Sequence, residues 1–227
     1  MRIRQVTLTV QDLQAHARYY GDVLLLPVRT DDDRVVVEVG DSRVVLTRGP
    51  AFPGVHHLAF GIAPADFETA HDWLRPRVSL LAPGGEDVVP GPPGWDSRSL
   101  YFTGPEDVVL ELIARDAHGD EPPTGGGAPR LLHLSEVGIG VPDVPAAVRV
   151  LGDRLDLPPY PPQGPRFAPV GDADGLLVLV EHDRVWFPTE GLRAARGPVE
   201  VVLDGPAGAA LALTGHATVL RCGSAPA

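Results

Sequence analysis

The amino-acid sequence predicts an α+β fold made of repeated units, each with a strand, a helix and two or three further strands. The strongest observation is an internal repeat, because residues 5–27 return 131 positions later with ten identities among the 23 aligned pairs. Unrelated sequences of that length would share about one or two. Within the repeat, an apolar period of two gives way to one of three to four, which marks a strand followed by a helix. The repeat therefore reflects duplication of one structural module.

The elements of the first module follow from its apolar spacing. Residues 6–10 alternate valine and leucine with threonine, which predicts a half-buried strand. Asp12 can cap the next element, a helix whose apolar side chains recur at spacings of three and four between residues 13 and 24. Residues 34–39 and 42–47 then predict two strands around a tight turn.

The later modules keep the same order. In the second, residues 55–62 predict the first strand, residues 66–74 the helix with Asp66 as its candidate cap, and residues 98–102 and 108–114 the closing strands. The third module contains the repeated segment that begins at Glu136. A shorter fourth module follows at the C-terminal end of the chain, over residues 198–221.

A stretch rich in proline and glycine divides these modules into two pairs. Residues 117–130 have the composition of a linker. We therefore expect residues 1–116 to hold an N-terminal pair of modules with the functional site. Residues 131–227 would hold the third module and the truncated fourth.

Three motifs resemble the vicinal oxygen chelate superfamily, which includes glyoxalases, extradiol dioxygenases and bleomycin-resistance proteins. They are QVTLTVQDL at residues 5–13, HHLAF at residues 56–60 and YFTGPEDVVLELIAR at residues 101–115. The resemblance implies βαβββ modules in paired, curled mixed β-sheets with the helices on the outside. It also implies a divalent metal ion on the concave face of the sheet.

In this family the metal ligands come from the first and last strands of paired modules. Carried over to this chain, the resemblance implies Gln5, His57 and Glu111 as ligands, with Glu111 also as the candidate catalytic residue that shuttles a proton. Val45 takes the last-strand position of the first module and cannot bind metal. One imidazole, one carboxylate and one amide oxygen suit Fe²⁺, Mn²⁺, Zn²⁺ or Ni²⁺.

Two further positions bear on the ligand set. His56 lies on the strand face opposite His57, so a shift of one residue in register would exchange the two. Glu136 takes the first-strand position of the third module, but its counterpart in the fourth falls near Pro198, which has no donor atom. The C-terminal half is therefore expected to lack a site and to complete the fold.

Composition excludes several classes of function. All 19 basic residues are arginine, which rules out a lysine Schiff base and a Walker phosphate loop. The net charge of −11 disfavours nucleic acid and anionic membranes as partners. Cys222 is the single cysteine, which fits a reducing, cytoplasmic location. The apolar runs are shorter than the roughly 20 residues that span a bilayer.

Three functions fit these observations. The first is a metal-dependent enzyme of the glyoxalase or dioxygenase kind, a lyase, isomerase or ring-cleaving dioxygenase acting on a small oxygen-chelating substrate. The second is a metal-free binding protein of the bleomycin-resistance type, with a cleft walled by Trp95, Tyr101 and Phe102. The third is a structural protein whose site has lapsed. Because paired modules can come from one chain, either a monomer or a homodimer would supply the cleft.

Overall fold

A computed structural model describes residues 1–205 and 208–222. Three α-helices lie in this part of the chain: α1 (Leu13–Arg18), α2 (Phe67–Leu74) and α3 (Val144–Leu155). None of these described helices has the length and apolar character needed to span a lipid bilayer. The strands are β1 (Ile3–Val10), β2 (Val28–Thr30), β3 (Arg34–Val39), β4 (Ser42–Arg48), β5 (His57–Ile62), β6 (Leu80–Leu81), β7 (Val89–Pro90), β8 (Ser97–Thr103), β9 (Val109–Arg115), β10 (Leu131–Val141), β11 (Phe167–Asp172), β12 (Gly175–Glu181), β13 (Val199–Asp204), β14 (Ala209–Ala212) and β15 (Ala217–Cys222).

The predicted α+β fold is confirmed, and every module is built in the same way. Its first strand lies parallel to its last strand, so that β1 pairs with β4, β5 with β9, β10 with β12 and β13 with β15. A connection between parallel strands needs a crossover, and a helix follows the first strand in modules one to three. The crossover segment of the fourth module includes residues 206 and 207, which lie outside the described residues.

The pairing between modules differs from the sequence expectation. Strand β5 of module two runs antiparallel to β10 of module three, and β1 of module one runs antiparallel to β13 of module four. By contrast, β1 and β10 meet at a single pair, Ile3 and Leu134. The chain therefore joins the middle two modules into one unit and the outer two into another. The division at residues 117–130 stays a prediction, and the strand pairing runs across it.

The apolar faces of the first strands form the core beneath the helices. Val6, Leu58 and Val137, one from each of the first three modules, are at most 1% exposed. The helices cover these strands with their own apolar faces, which include Leu13, Phe67 and Leu151. Because strand side chains alternate, the opposite faces of β5 and β10 are left for other residues. Those faces carry the site.

The predicted helix cap at Asp12 is confirmed, and Asp143, its equivalent in the repeat, caps α3 in the same way. The carboxylates of Asp12 and Asp143 accept hydrogen bonds from the backbone amides three residues later, at 2.9 and 2.8 Å. Asp66 does not cap α2, because a 3₁₀ turn over Pro64–Asp66 leads into the helix. Its buried carboxylate instead accepts hydrogen bonds from the backbone amide (2.8 Å) and hydroxyl of Thr124. Asp66 thereby fastens the proline- and glycine-rich segment to the fold.

Loss of this contact should free that segment. Replacing Asp66 with Ala removes an ionised acceptor, and we expect the free energy of unfolding to fall by about 1–2 kcal/mol. The amide of Arg130 donates to the Thr124 hydroxyl at 3.2 Å, so tryptic cleavage after Arg130 should also become faster. The matched control is Asp72→Ala, at an exposed position on the same helix. Equal cleavage rates in the two variants would contradict this role of Asp66.

Candidate metal centre

Three buried side chains converge where modules two and three meet. The Nε2 atom of His57 lies 3.5 Å from Oε2 of Glu111 and 3.8 Å from Oε2 of Glu136. The candidate ligand atoms of the three residues all lie within 4.8 Å of one another, and no other group of three such residues does so in the described part of the chain. Glu111 and Glu136 are 1% and 4% exposed. We call His57, Glu111 and Glu136 the acidic cluster.

Strand register explains why these residues meet. Ala59 on β5 stands opposite Glu111 on the parallel neighbour β9, and also opposite Glu136 on the antiparallel neighbour β10. His57 lies two residues before Ala59, so its side chain points to the same face. The methyl group of Ala59 leaves space between the two carboxylates. The three strands therefore deliver one imidazole and two carboxylates to one point.

A small residue also makes room beside His57. A Cβ atom at Gly138 would stand 2.4 Å from the ring of Trp186 and 3.0 Å from Cβ of His57. Glycine at this position of β10 lets the indole lie over the strand, with its ring centroid 5.2 Å from that of His57. The Trp186 indole N–H donates to the carbonyl of Val55 at 2.9 Å. Trp186 is thus fixed as a wall beside the acidic cluster.

The imidazole of His57 is oriented for coordination. Its Nδ1 lies 3.3 Å from the carbonyl oxygen of Val109, which places the ring N–H there and leaves Nε2 facing the carboxylates. Burial alone would lower the pKa of His57. The hydrogen bond and charge of Glu136 and the charge of Glu111 outweigh burial, so the pKa of His57 is raised. The field at Nε2 thus favours positive charge.

The two carboxylates are held differently. Arg115 donates a hydrogen bond to Oε1 of Glu136 and another, at 3.2 Å, to the hydroxyl of Ser135. Its guanidinium also lies 4.7 Å from the ring centroid of Trp95, and the whole side chain is buried. In contrast, Oε2 of Glu111 has no hydrogen-bond partner in the described structure. Burial, together with the charge of Glu136, raises the pKa of Glu111 to about 7.

The charges of this arrangement fit a divalent cation. Two buried carboxylates face one buried guanidinium, so the site has an excess of negative charge when His57 is neutral. A buried charge without a partner is costly, and the unpartnered oxygen of Glu111 lies on the side of His57 Nε2. A cation between the three side chains would give both Oε2 of Glu111 and Nε2 of His57 a partner. One nitrogen and two carboxylate ligands suit a divalent first-row transition metal.

The acidic cluster lies in a cleft of about 380 Å³, within the range of small-molecule sites. Its walls include five aromatic side chains, which are Trp95, Tyr101, Phe167, Trp186 and Phe187. Phe102, which the sequence analysis also placed in the wall, lies instead in the core and is fully buried. Neighbouring residues on a strand face opposite sides, so Tyr101 and Phe102 cannot both line the cleft.

Gln5 is the predicted ligand that the structure places elsewhere. Its amide oxygen accepts a hydrogen bond from Arg43 at 2.7 Å, and its amide nitrogen donates to Thr7 at 3.0 Å. Strand β1 pairs with β4 and β13 rather than with β5, so Gln5 cannot join His57 and Glu111. Glu136, its equivalent in the repeat, does so. The C-terminal half therefore contributes to the site, contrary to the sequence expectation.

The structure also separates His57 from its neighbour. His56 lies on the other face of the chain, with its ring 5.1 Å from that of Phe52. Burial and the nearby His216 lower the pKa of His56 to about 4. His57 is thus the histidine that faces the cleft. Among the residues around His57, no sequence pattern pointed to Arg115 or Trp186 as part of the site. Glu136 could have been found, because it aligns with the candidate ligand Gln5 in the repeat.

The Arg115–Glu136 pair should behave as a coupled unit. Replacing Arg115 with Met leaves the Glu136 carboxylate buried without its partner, and we expect the free energy of unfolding to fall by about 3–5 kcal/mol. Adding Glu136→Gln to that variant removes the unpaired charge and should restore a large part of the loss. Urea unfolding of the two single variants and the double variant measures the coupling. Additive losses would show that the two side chains do not depend on each other.

Comparison with known proteins shows which solved structures have a similar fold. No protein-family model and no curated protein matches the sequence. Among solved structures, a proposed dioxygenase from Bacillus subtilis aligns over 90% of this chain and 70% of its own, with a TM-score of 0.60 and 13% identity. Glyoxalase I from Zea mays aligns over 88% of this chain and 74% of its own, with a TM-score of 0.57 and 18% identity. The chain thus has the fold of the vicinal oxygen chelate superfamily, as its sequence motifs indicate.

Proposed function

We propose that this protein is a metal-dependent enzyme that acts on a small molecule with two neighbouring oxygen atoms. The observation that carries the proposal is the acidic cluster, in which one imidazole nitrogen and two carboxylate oxygens lie within 4.8 Å of one another at the cleft. The glyoxalase and dioxygenase structures that share the fold support the same reading.

His57, Glu111 and Glu136 would hold the ion, with Fe²⁺, Mn²⁺, Zn²⁺ or Ni²⁺ as candidates. Three protein ligands leave coordination positions open for a bidentate substrate. A bound divalent ion would act as a Lewis acid that polarises the substrate oxygens. In the third module, the position equivalent to Glu111 is Val178, which stands opposite Gly138 as Glu111 stands opposite Ala59. Val178 also lines the cleft. Because valine has no donor atom, it cannot add a fourth protein ligand.

The two carboxylates suit different tasks. Arg115 holds Glu136 in place, so Glu136 is the fixed ligand. Oε2 of Glu111, the atom that would meet the ion, has no hydrogen-bond partner in the described structure, so this carboxylate is the one that could leave the ion, accept a proton from a bound substrate and return it. We therefore assign Glu111 the role of proton carrier. The buried rings of Trp95 and Trp186 lie beside the acidic cluster, and an apolar surface of this kind would strengthen electrostatic interactions there.

A metal-free binding protein is the second candidate, and the aromatic lining favours it. Rings of Trp95 and Tyr160 meet edge to face at 5.6 Å, as do those of Tyr101 and Phe187 at 5.8 Å. Such walls hold flat molecules without any ion. In this case Glu111 would bind the ligand as a hydrogen-bonding group. The two functions differ in whether the acidic cluster holds metal.

Metal content decides between the two functions. After dialysis against each candidate ion, we expect inductively coupled plasma mass spectrometry to find about one equivalent bound to the wild-type protein. Glu111→Gln, Glu136→Gln and His57→Asn should each weaken binding by about 100-fold or more, since each removes one ligand. Thermal unfolding should show stabilisation by the ion in the wild type only.

Gln5→Ala is the matched control, because Gln5 lies at the equivalent position of the repeat but outside the acidic cluster. Its metal content should equal that of the wild type. Metal below one tenth of an equivalent, unchanged by the three cluster variants, would overturn the enzyme proposal and favour the binding protein.

A further inference from the structure

Arg184 is a half-buried cation that lines the same cleft as the acidic cluster. Its guanidinium lies 5.2 Å from the ring centroid of Phe167. Neither a carboxylate nor a side-chain hydrogen bond meets this guanidinium within residues 1–205 and 208–222. A contact with a ring face leaves the N–H donors at the edge of the guanidinium unused. Arg184 thus presents donors and a positive charge to the cleft.

Neighbouring arginines do have partners. Arg166 pairs with Glu181, and Arg196 pairs with Asp183. Arg193 donates to the carbonyl of Asp183. Partial burial and the charge of Arg166 lower the pKa of Arg184, so its environment does not compensate its charge. An anion in the cleft would compensate it.

We propose that Arg184 binds a carboxylate group of the ligand, so that the cleft takes a small, flat organic acid. The substrate class rests on the proposed function: two vicinal oxygens would face the acidic cluster and the carboxylate would face Arg184. Guanidinium groups bind carboxylates through two parallel hydrogen bonds. The flat body would lie between the aromatic walls, in a space of about 380 Å³.

The charge of the site favours a carboxylate over a phosphate. Arg184 supplies one unpaired positive charge, which balances a monoanion. A phosphoryl dianion would carry a second negative charge that Arg184 alone does not balance. Arg166, whose charge also acts on Arg184, is already paired with Glu181. A single carboxylate is therefore the anion that this cleft neutralises.

A matched pair of probes tests the proposal. 3,4-Dihydroxybenzoate and 3,4-dihydroxybenzamide share size, shape and vicinal oxygens, and only the first is an anion. By isothermal titration calorimetry, we expect the wild-type protein to bind the acid about 10- to 100-fold more tightly than the amide. Arg184→Gln should remove this preference, because it weakens binding of the acid more than binding of the amide. Arg149→Gln, the same charge change at an exposed position on α3, should keep it.

The same titrations in EDTA separate this inference from the proposed function, because binding by Arg184 needs no metal. A preference for the acid that persists in EDTA and depends on Arg184 supports the inference even if the protein holds no ion. A wild-type protein that binds metal but does not prefer the acid overturns this inference alone. A preference that survives Arg184→Gln, or that Arg149→Gln also removes, overturns it as well. In EDTA, tighter binding of phenyl phosphate than of benzoate would overturn the assignment to a carboxylate.

Discussion

The antiparallel pairing of β5 with β10 is the constraint on which the rest of the structure depends. It sets Ala59 opposite Glu136 while the parallel neighbour β9 sets Glu111 opposite the same alanine. No single module could build this site, because each first strand supplies one side chain to this point. The pairing also brings Trp186 and Arg184 from the third module to a cleft whose other wall is Trp95 and Tyr101. The geometry of the acidic cluster and of the cleft around it therefore follows from one strand register.

Buried charge distinguishes the acidic cluster from the rest of the fold. The acidic cluster places two carboxylates in the interior, where each ion costs several kcal/mol unless it is compensated. Arg115 compensates the charge of Glu136, and its guanidinium also packs over the ring of Trp95. The remaining negative charge, on Glu111, lies where the proposed cation would bind. The outer pair of modules has the same strand scaffold but places Gln5 against Arg43, and its described residues form no second cluster of potential metal ligands. The two halves have thus diverged in charge while keeping their shape.

The sequence predicts most of the fold because apolar periodicity is a local property. Strands, helices and the cap at Asp12 can be located in this way, whereas His57 and Glu111 are candidates through the resemblance to a known superfamily. Module pairing could not be predicted, because it depends on which sheet edges meet after folding. Gln5 was therefore assigned to the site in place of Glu136, its own equivalent in the repeat. Arg115 and Arg184 gave no local signal, since their roles arise from contacts across strands.

The pairing of the outer modules has a consequence for synthesis of the chain. Strand β1 is made before the other strands, yet its antiparallel partner β13 follows almost 200 residues later, with Gln5 opposite Val202. Such long-range contacts slow folding and leave sheet edges exposed in the meantime. The middle modules, which carry the cleft, can pair as soon as β10 has emerged. The middle modules can therefore pair before the outer modules do, because β1 has its neighbour β4 early but can meet β13 only after the fourth module has been made.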